Sequence, residues 1–506
     1  MTRFSQRARL ALRRWGPARR RPEPAEGPGS NGRAGSDGHH GGWLHELNDR
    51  WRGRHGPNGA ELAQPASREN LDEQPTAGPS VPDDTRVQQV LDLAMRIGEV
   101  LLSSGEGVAE TTSIMLRLAD AGGLPTCEVD ITFTSMTMCC HRGMVAPPVT
   151  TMRLVRYRAL DLTRLNDVTL LVDRIEREEV SLIEAATELD RVTRAKHPYP
   201  RWLTTLAWAG MAASVAVLLG GGVVAATVAF GATGVIDRIG RLLNRNGLPM
   251  FFQQMAGAML ATGITAGLLY FSLLPPGTRP SLVVAATLTV LLSGLSVVGS
   301  VRDAIDGFFL TAVGRTGEII MFSAGLLGGV VLALKGALVF GVELSVVGPL
   351  PTSNLSLAVR AFAAGLTSGL FALAAYSPVR YLPAAAGTGA AAWAMYTVLQ
   401  QTGLGPVVST GIAAIGLGVV SGLLHRLTGA PRLVITLGAI TPLLPGLTAY
   451  QGFYQLAVTG VTDGLVTVML ALAIGLALAG GVALGEWLTS QVRLPTPATA
   501  PTTRAK

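Results

Sequence analysis

Charged residues are scarce in one long part of this chain, the 288 positions from 203 to 490. That part contains only 18 Asp, Glu, Lys and Arg residues, and uncharged runs of roughly membrane-spanning length separate nearly all of them. An α-helix rises about 1.5 Å per residue, so a hydrocarbon core of roughly 30 Å requires about 20 apolar residues. The sequence therefore predicts an all-α polytopic membrane domain.

We predict about ten transmembrane helices in this domain. The uncharged stretch 202–236 is too long for one ordinary span, and the glycine triplet at 220–222 offers a break in its middle. The uncharged stretch 381–424 likewise divides near 403–406, where two glycines and a proline occur. The predicted helices lie near 203–219, 223–243, 250–272, 281–299, 316–340, 356–376, 381–400, 405–424, 432–449 and 462–487.

The basic residues of the membrane part predict its orientation. With ten spans and a cytoplasmic N-terminus, eight of the eleven arginines and lysines fall at cytoplasmic ends, and only Arg279, Lys335 and Arg360 fall toward the outside. A single span over 203–236 would reverse this distribution, against the positive-inside rule. We therefore predict a multi-pass protein of the cell (inner) membrane with both termini in the cytoplasm.

The first 200 residues are predicted to be aqueous, because charges are frequent there and no apolar run approaches 18 residues. The opening 15 residues carry arginines without a continuous apolar core, so we expect no signal peptide. Helical periodicity begins near Arg86, a period-2 run at 127–135 predicts a strand, and a second strand is predicted at 152–158. The predicted segments are a disordered Arg/Gly/Pro-rich tail (1–85), a small cytoplasmic α+β domain (86–200), two transmembrane halves (201–345 and 346–490) and a cytoplasmic tail (491–506).

Two short sequences in the membrane part resemble each other. Ser293-Gly294 lies in LSGLS and Pro445-Gly446 in LPGLT, 152 positions apart, and each is followed by a linker and a long glycine-rich helix. The two predicted helices that contain them are five apart, an odd number, so a true repeat would be inverted in the membrane. Inverted repeats with Gly/Pro-interrupted helices are typical of secondary transporters, which bind substrate near the breaks.

Five of the 18 charges crowd into 17 residues and form the main candidate site. Ionisable groups near hydrocarbon are costly unless they are paired or face water. An amino acid needs a cation for its carboxylate and acceptors for its ammonium group, and this cluster has both. Its two aspartates could also couple transport to protons. The alternative interpretation of the whole cluster is an ordinary loop at the inner surface whose charges are merely solvated. The cluster consists of Arg302, Asp303, Asp306, Arg315 and Glu318.

A second candidate group is uncharged and lies around the later break. Its hydroxyl and amide side chains could hydrogen-bond a hydroxylated substrate, or could equally line an outer loop. The members that we assign to the substrate and proton pathway are Thr441, Tyr450, Gln451 and Tyr454. Two glycine pairs, Gly325 with Gly329 and Gly481 with Gly485, are predicted to permit close helix packing.

An enzyme anchored in the membrane is the competing functional class. The possible catalytic groups of the predicted soluble domain are Glu106, Glu128, Asp130 and His141. Their spacing matches no nucleophile or metal signature, and solvated faces are the favoured interpretation. The three cysteines lack C-x-x-C spacing, so neither a zinc site nor a disulfide framework is predicted. No Walker A sequence occurs in the chain, which argues against ATP as its energy source. We expect no catalytic residue, metal or cofactor. The expected partners are a small amino acid, protons and the lipid bilayer, and no nucleic acid is expected. A homo-oligomer is possible.

Several of these patterns together resemble the threonine/serine exporter family. The resemblance rests on MRIGEVLLSSGEG at 95–107, CEVDITFTS at 127–135, VRDAIDG at 301–307 with Arg315 and Glu318, and LPGLTAY at 444–450. It spans roughly residues 86–490, and the chain departs from the family pattern at its first break, where Ser-Gly stands in place of Pro-Gly. The resemblance implies a ten-span inner-membrane exporter of threonine and serine that is driven by the proton motive force and carries a hydrophilic cytoplasmic domain.

Overall fold

The computed structural model describes residues 84–142, 146–155, 160–275, 277–292, 294–344, 356–428, 432–458 and 461–491. The predicted tails, 1–85 and 491–506, lie outside these ranges except for residues 84, 85 and 491. Ser293 of the predicted first break also lies outside them.

Between residues 84 and 200, the described part of the chain forms four helices and one small sheet. Apolar positions that recur at helical spacing on the first helix, including Val87, Leu91 and Leu101, are all buried, as the periodicity predicts. A capping box at Ser181 and Glu184 starts the fourth helix, whose first N–H groups it satisfies. The elements are α1 (Asp84–Ser103), α2 (Val108–Ala121), β1 (Cys127–Thr132), β2 (Ser135–Cys140), β3 (Val149–Leu154), α3 (Leu162–Glu176) and α4 (Leu182–Arg194).

The sheet differs from the sequence prediction. The run 127–135 is not one strand, because the chain reverses at Phe133, whose φ of 46° is unusual for a bulky residue. Thr132 then pairs with Ser135, and β1, β2 and β3 form an antiparallel sheet in chain order. The strand predicted at 152–158 begins earlier, at Val149, and ends at Leu154, while residues 156–159 lie outside the described ranges.

Twelve α-helices follow in the described part of the chain, and two of the predicted glycine-containing breaks separate helices. The triplet 220–222 separates the first two, and the break near 403–406 contains Gly403 with φ of 84°. The helices are α5 (Arg201–Leu218), α6 (Val223–Arg245), α7 (Met250–Tyr270), α8 (Pro280–Leu291), α9 (Gly294–Ile305), α10 (Phe309–Val339), α11 (Leu357–Ala374), α12 (Leu382–Gln401), α13 (Pro406–Thr428), α14 (Arg432–Ile440), α15 (Gly446–Val458) and α16 (Val461–Gln491).

Among the described residues, six of these helices are long and apolar enough to cross a membrane: α5, α6, α10, α11, α13 and α16. Two further spans are formed if each bent pair crosses once, which gives up to eight. The α8–α9 pair bends by 46°, and the pair formed by 432–443 and α15 bends by 51°. The chain is therefore a polytopic, mostly helical membrane protein.

The helices pack in corresponding ways in the two halves. α5 packs on α6 and α11 on α12, while α7 packs on α10 and α13 on α16. The predicted glycine packing motifs are confirmed in the last two contacts. A Cβ on Gly325 of α10 would lie 2.6 Å from the carbonyl oxygen of Phe251, and one on Gly481 of α16 would lie 2.6 Å from that of Gly411.

Candidate functional site

A cavity of about 270 Å³ lies between the N-terminal domain and the membrane helices. We call it the charged cavity. Its walls come from the α1–α2 connection, from α9 and α10, and from α14 and α16, so both bent pairs contribute to it. Four members of the predicted cluster line it, namely Arg302, Asp303, Arg315 and Glu318.

An ion pair inside this cavity joins α9 to α10. Arg315 Nη1 lies 2.8 Å from Asp303 Oδ2, and only 10% of the arginine side chain and 1% of the aspartate side chain are exposed. The sequence prediction left open that these charges are merely solvated, but the structure buries both. Removal of one partner from a buried ion pair leaves an uncompensated charge, which makes such pairs strongly interdependent.

Asp303 also contacts the N-terminal domain. The backbone N–H of Val108, the first residue of α2, donates to Asp303 Oδ1 over 3.4 Å. Helix N-termini carry unsatisfied N–H groups and a partial positive charge, so a carboxylate at this position is favourable. A membrane-domain aspartate thus acts as a cap for a helix of the soluble domain.

Arg302 lies among carboxylates from three elements. Its Nη2 donates to Glu486 Oε2 of α16 over 3.4 Å, and its Nε lies 3.9 Å from Asp306 Oδ2. Glu486 is 8% exposed and also accepts from Thr436 Oγ1 of α14 over 3.4 Å. Asp306 itself is exposed and does not line the cavity.

Glu106 brings a carboxyl group from the soluble domain to the same place. It is 8% exposed, and burial raises its pKa from 4.5 to about 7, although the Gly107 N–H and the positive charge of Arg302 act in the opposite direction. The negative charges of Glu110 and Glu486 contribute to the rise. At neutral pH this group can therefore either hold or release a proton.

The β1–β2 hairpin also binds the membrane domain. The Phe133 N–H donates to Thr311 Oγ1 over 3.0 Å, and the same hydroxyl donates to the Ile131 carbonyl over 3.3 Å. The Phe133 ring packs on Gly314 of α10, where a Cβ would lie 2.9 Å from it. These contacts hold Phe133 in its unusual conformation and fix the hairpin at the start of α10.

A second contact surface lies at the end of α11. The Leu162 N–H donates to the Ala375 carbonyl over 3.0 Å, and the Tyr199 hydroxyl donates to the Ser377 carbonyl over 2.7 Å. The ring of His197 stacks on that of Tyr376 with centroids 4.3 Å apart. The soluble domain is thus attached to both halves of the membrane domain.

A larger cavity of about 490 Å³ lies among α6, α7 and α8, with Trp208 of α5 at its side. We call it the polar cavity. Its lining includes an ion pair, Asp237 with Arg241, and two buried polar side chains, Thr233 and Gln254. The sequence prediction did not include this cavity, because Thr233 and Gln254 are isolated polar residues within uncharged stretches.

The two cavities lie on either side of the first helix break. Leu291 and Leu292 line the polar cavity, and Leu295 and Ser296 line the charged cavity. The second break contacts the first, since a Cβ on Gly446 would lie 3.6 Å from Leu292 Cβ. The structure therefore brings the two breaks together.

Of the predicted uncharged group, Thr441, Gln451 and Tyr454 are not among the residues that line either cavity. Thr441 is buried and donates to the Leu437 carbonyl over 3.0 Å, and Tyr454 packs against the same buried cluster as Leu292. Gln451 lies on α15, as does Tyr450, whose side chain is outside the described atoms. Gly294 begins α9, and Pro445 directly precedes α15.

Of the remaining polar groups weighed as catalytic, Glu128, Asp130 and His141 are exposed. Glu106 and Glu486 lie close to Arg302 of the charged cavity, and sequence reasoning assigned neither of them to this site. Glu486 had one local signal, a lone carboxylate at the end of an uncharged run. In the described part of the chain, no group of three His, Cys, Asp or Glu residues is arranged to hold a metal ion.

Comparison with known proteins identifies similar sequences over most of the chain. Residues 92–336 match a family described as "Putative threonine/serine exporter", and residues 360–488 match one described as "Threonine/Serine exporter, ThrE". A "Probable threonine/serine exporter" of Mycobacterium tuberculosis is 38% identical over 418 residues, 81% of this chain and 78% of that protein. A "Threonine/serine exporter" of Corynebacterium glutamicum is 33% identical over 428 residues, 83% and 86% of the two chains. No solved structure matches the chain.

Proposed function

Because this chain belongs to the threonine/serine exporter family, we propose that it is a secondary transporter that exports threonine, serine or similar small neutral amino acids and is coupled to the proton gradient. The observation that carries this proposal is the charged cavity. It combines two arginines with buried carboxylates, and it lies where both bent helix pairs and the soluble domain meet. We assign it to the cytoplasmic mouth of the transport path.

The proposed topology has ten spans and cytoplasmic termini. It adds α7 and α12, of 21 and 20 residues, to the eight spans counted by length and composition. The contact between the soluble domain and Asp303 supports it. The positive-inside rule favours the cytoplasm for the Arg302–Arg315 end, and the N-terminal domain contacts the membrane domain at this end.

We further propose that the two halves form an inverted five-helix repeat. The corresponding helix contacts support it, since α7 packs on α10 as α13 packs on α16. The glycine packing pairs occur at matching places in those contacts, on α10 and on α16. In this arrangement the two helix breaks are equivalent and lie together at the centre, as is typical of secondary transporters.

Arg302 and Arg315 are the proposed attraction points for the substrate carboxylate. Each already pairs with protein carboxylates, Arg302 with Glu486 and Arg315 with Asp303. An entering amino acid would bind one arginine through its carboxylate and a carboxylate of the cavity through its ammonium group, and that ammonium group competes with a proton for the same carboxylate. Substrate binding and proton binding are linked by this competition.

Three carboxyl groups are proposed to carry the coupled proton. The sequence points to Asp303 and Asp306, and the pKa of about 7 at Glu106 adds a third group from the soluble domain. We assign the soluble domain to the role of an inner gate, because its α1–α2 connection covers the charged cavity. The group formed by Thr441, Tyr450, Gln451 and Tyr454 is proposed to line the outer part of the path.

Exchange of labelled threonine in proteoliposomes tests the substrate class. Purified full chain is reconstituted with unlabelled threonine inside, and labelled threonine is added outside in the absence of an imposed gradient. The proposal predicts uptake above protein-free liposomes that threonine and serine suppress and that glutamate and lysine do not. Uptake equal to that of protein-free liposomes would overturn it.

A further inference from the structure

We propose that the polar cavity is a binding site for a small hydroxy-amino acid and that Thr233 and Gln254 recognise it by hydrogen bonds. This inference rests on the proposed transport function and names the place and chemistry of substrate recognition. The polar cavity is lined mainly by residues of α6, α7 and α8. The charged cavity is lined mainly by residues of the α1–α2 connection, α9, α10, α14 and α16.

Two buried oxygen atoms in this cavity lack hydrogen bonds. Thr233 Oγ1 and Gln254 Oε1 contact no donor among the residues that the structure describes, although the two residues are only 3% and 5% exposed. Buried polar atoms are almost always paired, because an unpaired one costs roughly 1–3 kcal/mol. Both residues line the cavity, so a ligand inside it can reach both. Gln254 Oε1 requires a donor, and the Thr233 hydroxyl can donate or accept, so a ligand with hydroxyl and ammonium groups can satisfy both.

The charges of the cavity suit the two ends of an amino acid. Asp237 and Arg241 form an i,i+4 ion pair whose side chains remain 19% and 29% exposed, so each can also contact a ligand. Arg241 additionally donates to the carbonyl of Arg201, which fixes its position against α5. The Asp237 carboxylate can accept from an ammonium group, and the Arg241 guanidinium can donate to a carboxylate.

Apolar residues form much of the remaining wall, beside Asn244, Gln253 and Thr287. Trp208, Ile236, Leu260 and Leu291 contribute hydrocarbon surface to the same space. A pocket with an apolar wall and a few polar groups is typical of small-molecule sites. Such a wall accommodates the methyl group of threonine and offers nothing to a second charged group. The chemistry therefore favours a short, neutral side chain that carries a hydroxyl group.

The location connects this cavity to the proposed path. Leu292 lines it and contacts Gly446 of the second break, and Leu295, on the other side of the first break, lines the charged cavity. A change of the bend angle at that break would open or close the connection between the cavities. Substrate that enters at the arginines can then reach the polar cavity without crossing the lipid phase.

Isosteric variants test the inference with little change in shape. Thr233→Val removes a hydroxyl group, and Gln254→Leu removes an amide group. The matched control is Thr262→Val on α7, because Thr262 is also fully buried and its hydroxyl also lacks a partner, but it does not line the cavity. Size-exclusion chromatography and an apparent melting temperature establish that each variant is folded.

The readout is the apparent KM for threonine and for 2-aminobutyrate, which has a similar shape without the hydroxyl group. Loss of one hydrogen bond predicts a threonine KM raised about three- to tenfold in Thr233→Val and Gln254→Leu, and an unchanged value in Thr262→Val. Thr233→Val should leave the KM for 2-aminobutyrate unchanged, because that ligand offers no hydroxyl group.

The outcomes separate this inference from the proposed function. Threonine transport by the parent chain, with the same KM in all three variants, would overturn the inference and leave the proposed function intact. An equal rise for threonine and 2-aminobutyrate in Thr233→Val would overturn hydroxyl recognition by that residue. A parent chain that transports no amino acid would overturn the proposed function and this inference together.

Discussion

Asp303 of α9 and Arg315 of α10 form an ion pair of 2.8 Å in the charged cavity, and the same aspartate accepts from the first N–H group of α2. One carboxylate thus stabilises an arginine inside the membrane domain and a helix end of the soluble domain. This arrangement couples the ionisation of the cavity to the position of the domain that covers it.

Asp303→Asn is predicted to abolish gradient-driven accumulation of substrate and to lower the apparent melting temperature. The amide keeps the shape but removes the negative charge that faces Arg315, and breaking a buried pair costs about 3–5 kcal/mol. The double variant Asp303→Leu with Arg315→Met should recover part of this stability without recovering transport. Melting curves and a transport assay check both statements, and unaltered transport in Asp303→Asn would remove Asp303 from the mechanism.

The raised pKa of Glu106 predicts that the stability of the folded protein depends on pH. Between its ordinary pKa of 4.5 and its folded value of about 7, the folded protein binds a proton at Glu106 that the unfolded chain has released. Stability from this group is therefore fully present below pH 4.5 and falls as pH rises toward 7. At about 1.4 kcal/mol per pH unit, the free energy of unfolding falls by roughly 3 kcal/mol between the two pKa values.

Glu106→Gln should flatten this dependence, because the amide stays neutral at every pH. The apparent melting temperature of the purified full chain, measured from pH 5 to pH 8, provides the test. The facing charges are Arg302 on α9, Glu486 on α16 and Glu110 on α2. Glu110→Gln is the control, since Glu110 is exposed, and it should keep the slope of the parent. Parallel pH profiles for the parent and Glu106→Gln would contradict the prediction.

Thr311→Val is predicted to loosen the hairpin from α10. The hydroxyl of Thr311 accepts from the Phe133 N–H and donates to the Ile131 carbonyl, so its loss leaves two backbone groups without this partner. Each lost hydrogen bond contributes about 1 kcal/mol. Hydrogen exchange at the Phe133 amide should become several-fold faster. Thr316→Val on the same helix is the control, since the Thr316 hydroxyl donates to the Ala312 carbonyl within α10.

Gly329→Ala is predicted to destabilise the contact between α7 and α10. An added Cβ would overlap the carbonyl oxygen of Met255, and overpacking of this kind costs about 1–3 kcal/mol. The control lies two turns further along the same helix, where a Cβ on Gly336 meets nothing within 4 Å. The apparent melting temperature should fall for Gly329→Ala and stay constant or rise for Gly336→Ala. Equal melting temperatures would show that the helices are not in close contact.

The membrane helices were predictable because their signal is local. Uncharged runs of sufficient length, together with glycine breaks such as the triplet 220–222, determine where helices begin and end. The hairpin at Phe133 was not predictable in the same way, because a phenylalanine with positive φ carries no turn signal. Its conformation depends on Thr311 and Gly314, nearly 180 residues later in the chain.

The residues of the candidate site also divide into those with a local sequence signal and those that depend on distant contacts. Asp303 and Arg315 could be selected from the sequence, because charges are conspicuous among apolar residues. Glu106 could not be placed beside Arg302 from the sequence, since its burial depends on packing between the N-terminal domain and the membrane helices. Thr233 and Gln254 gave no signal at all, because only the cavity around them distinguishes them from other buried polar residues.

Accumulation of labelled threonine in proteoliposomes under an imposed pH gradient tests the central claim most directly. With an acidic lumen, proton exit through the reconstituted full chain should drive threonine to a concentration above that outside. A protonophore should abolish the accumulation. Threonine that equilibrates without accumulating, or that accumulates equally in the absence of the gradient, would contradict a proton-coupled exporter.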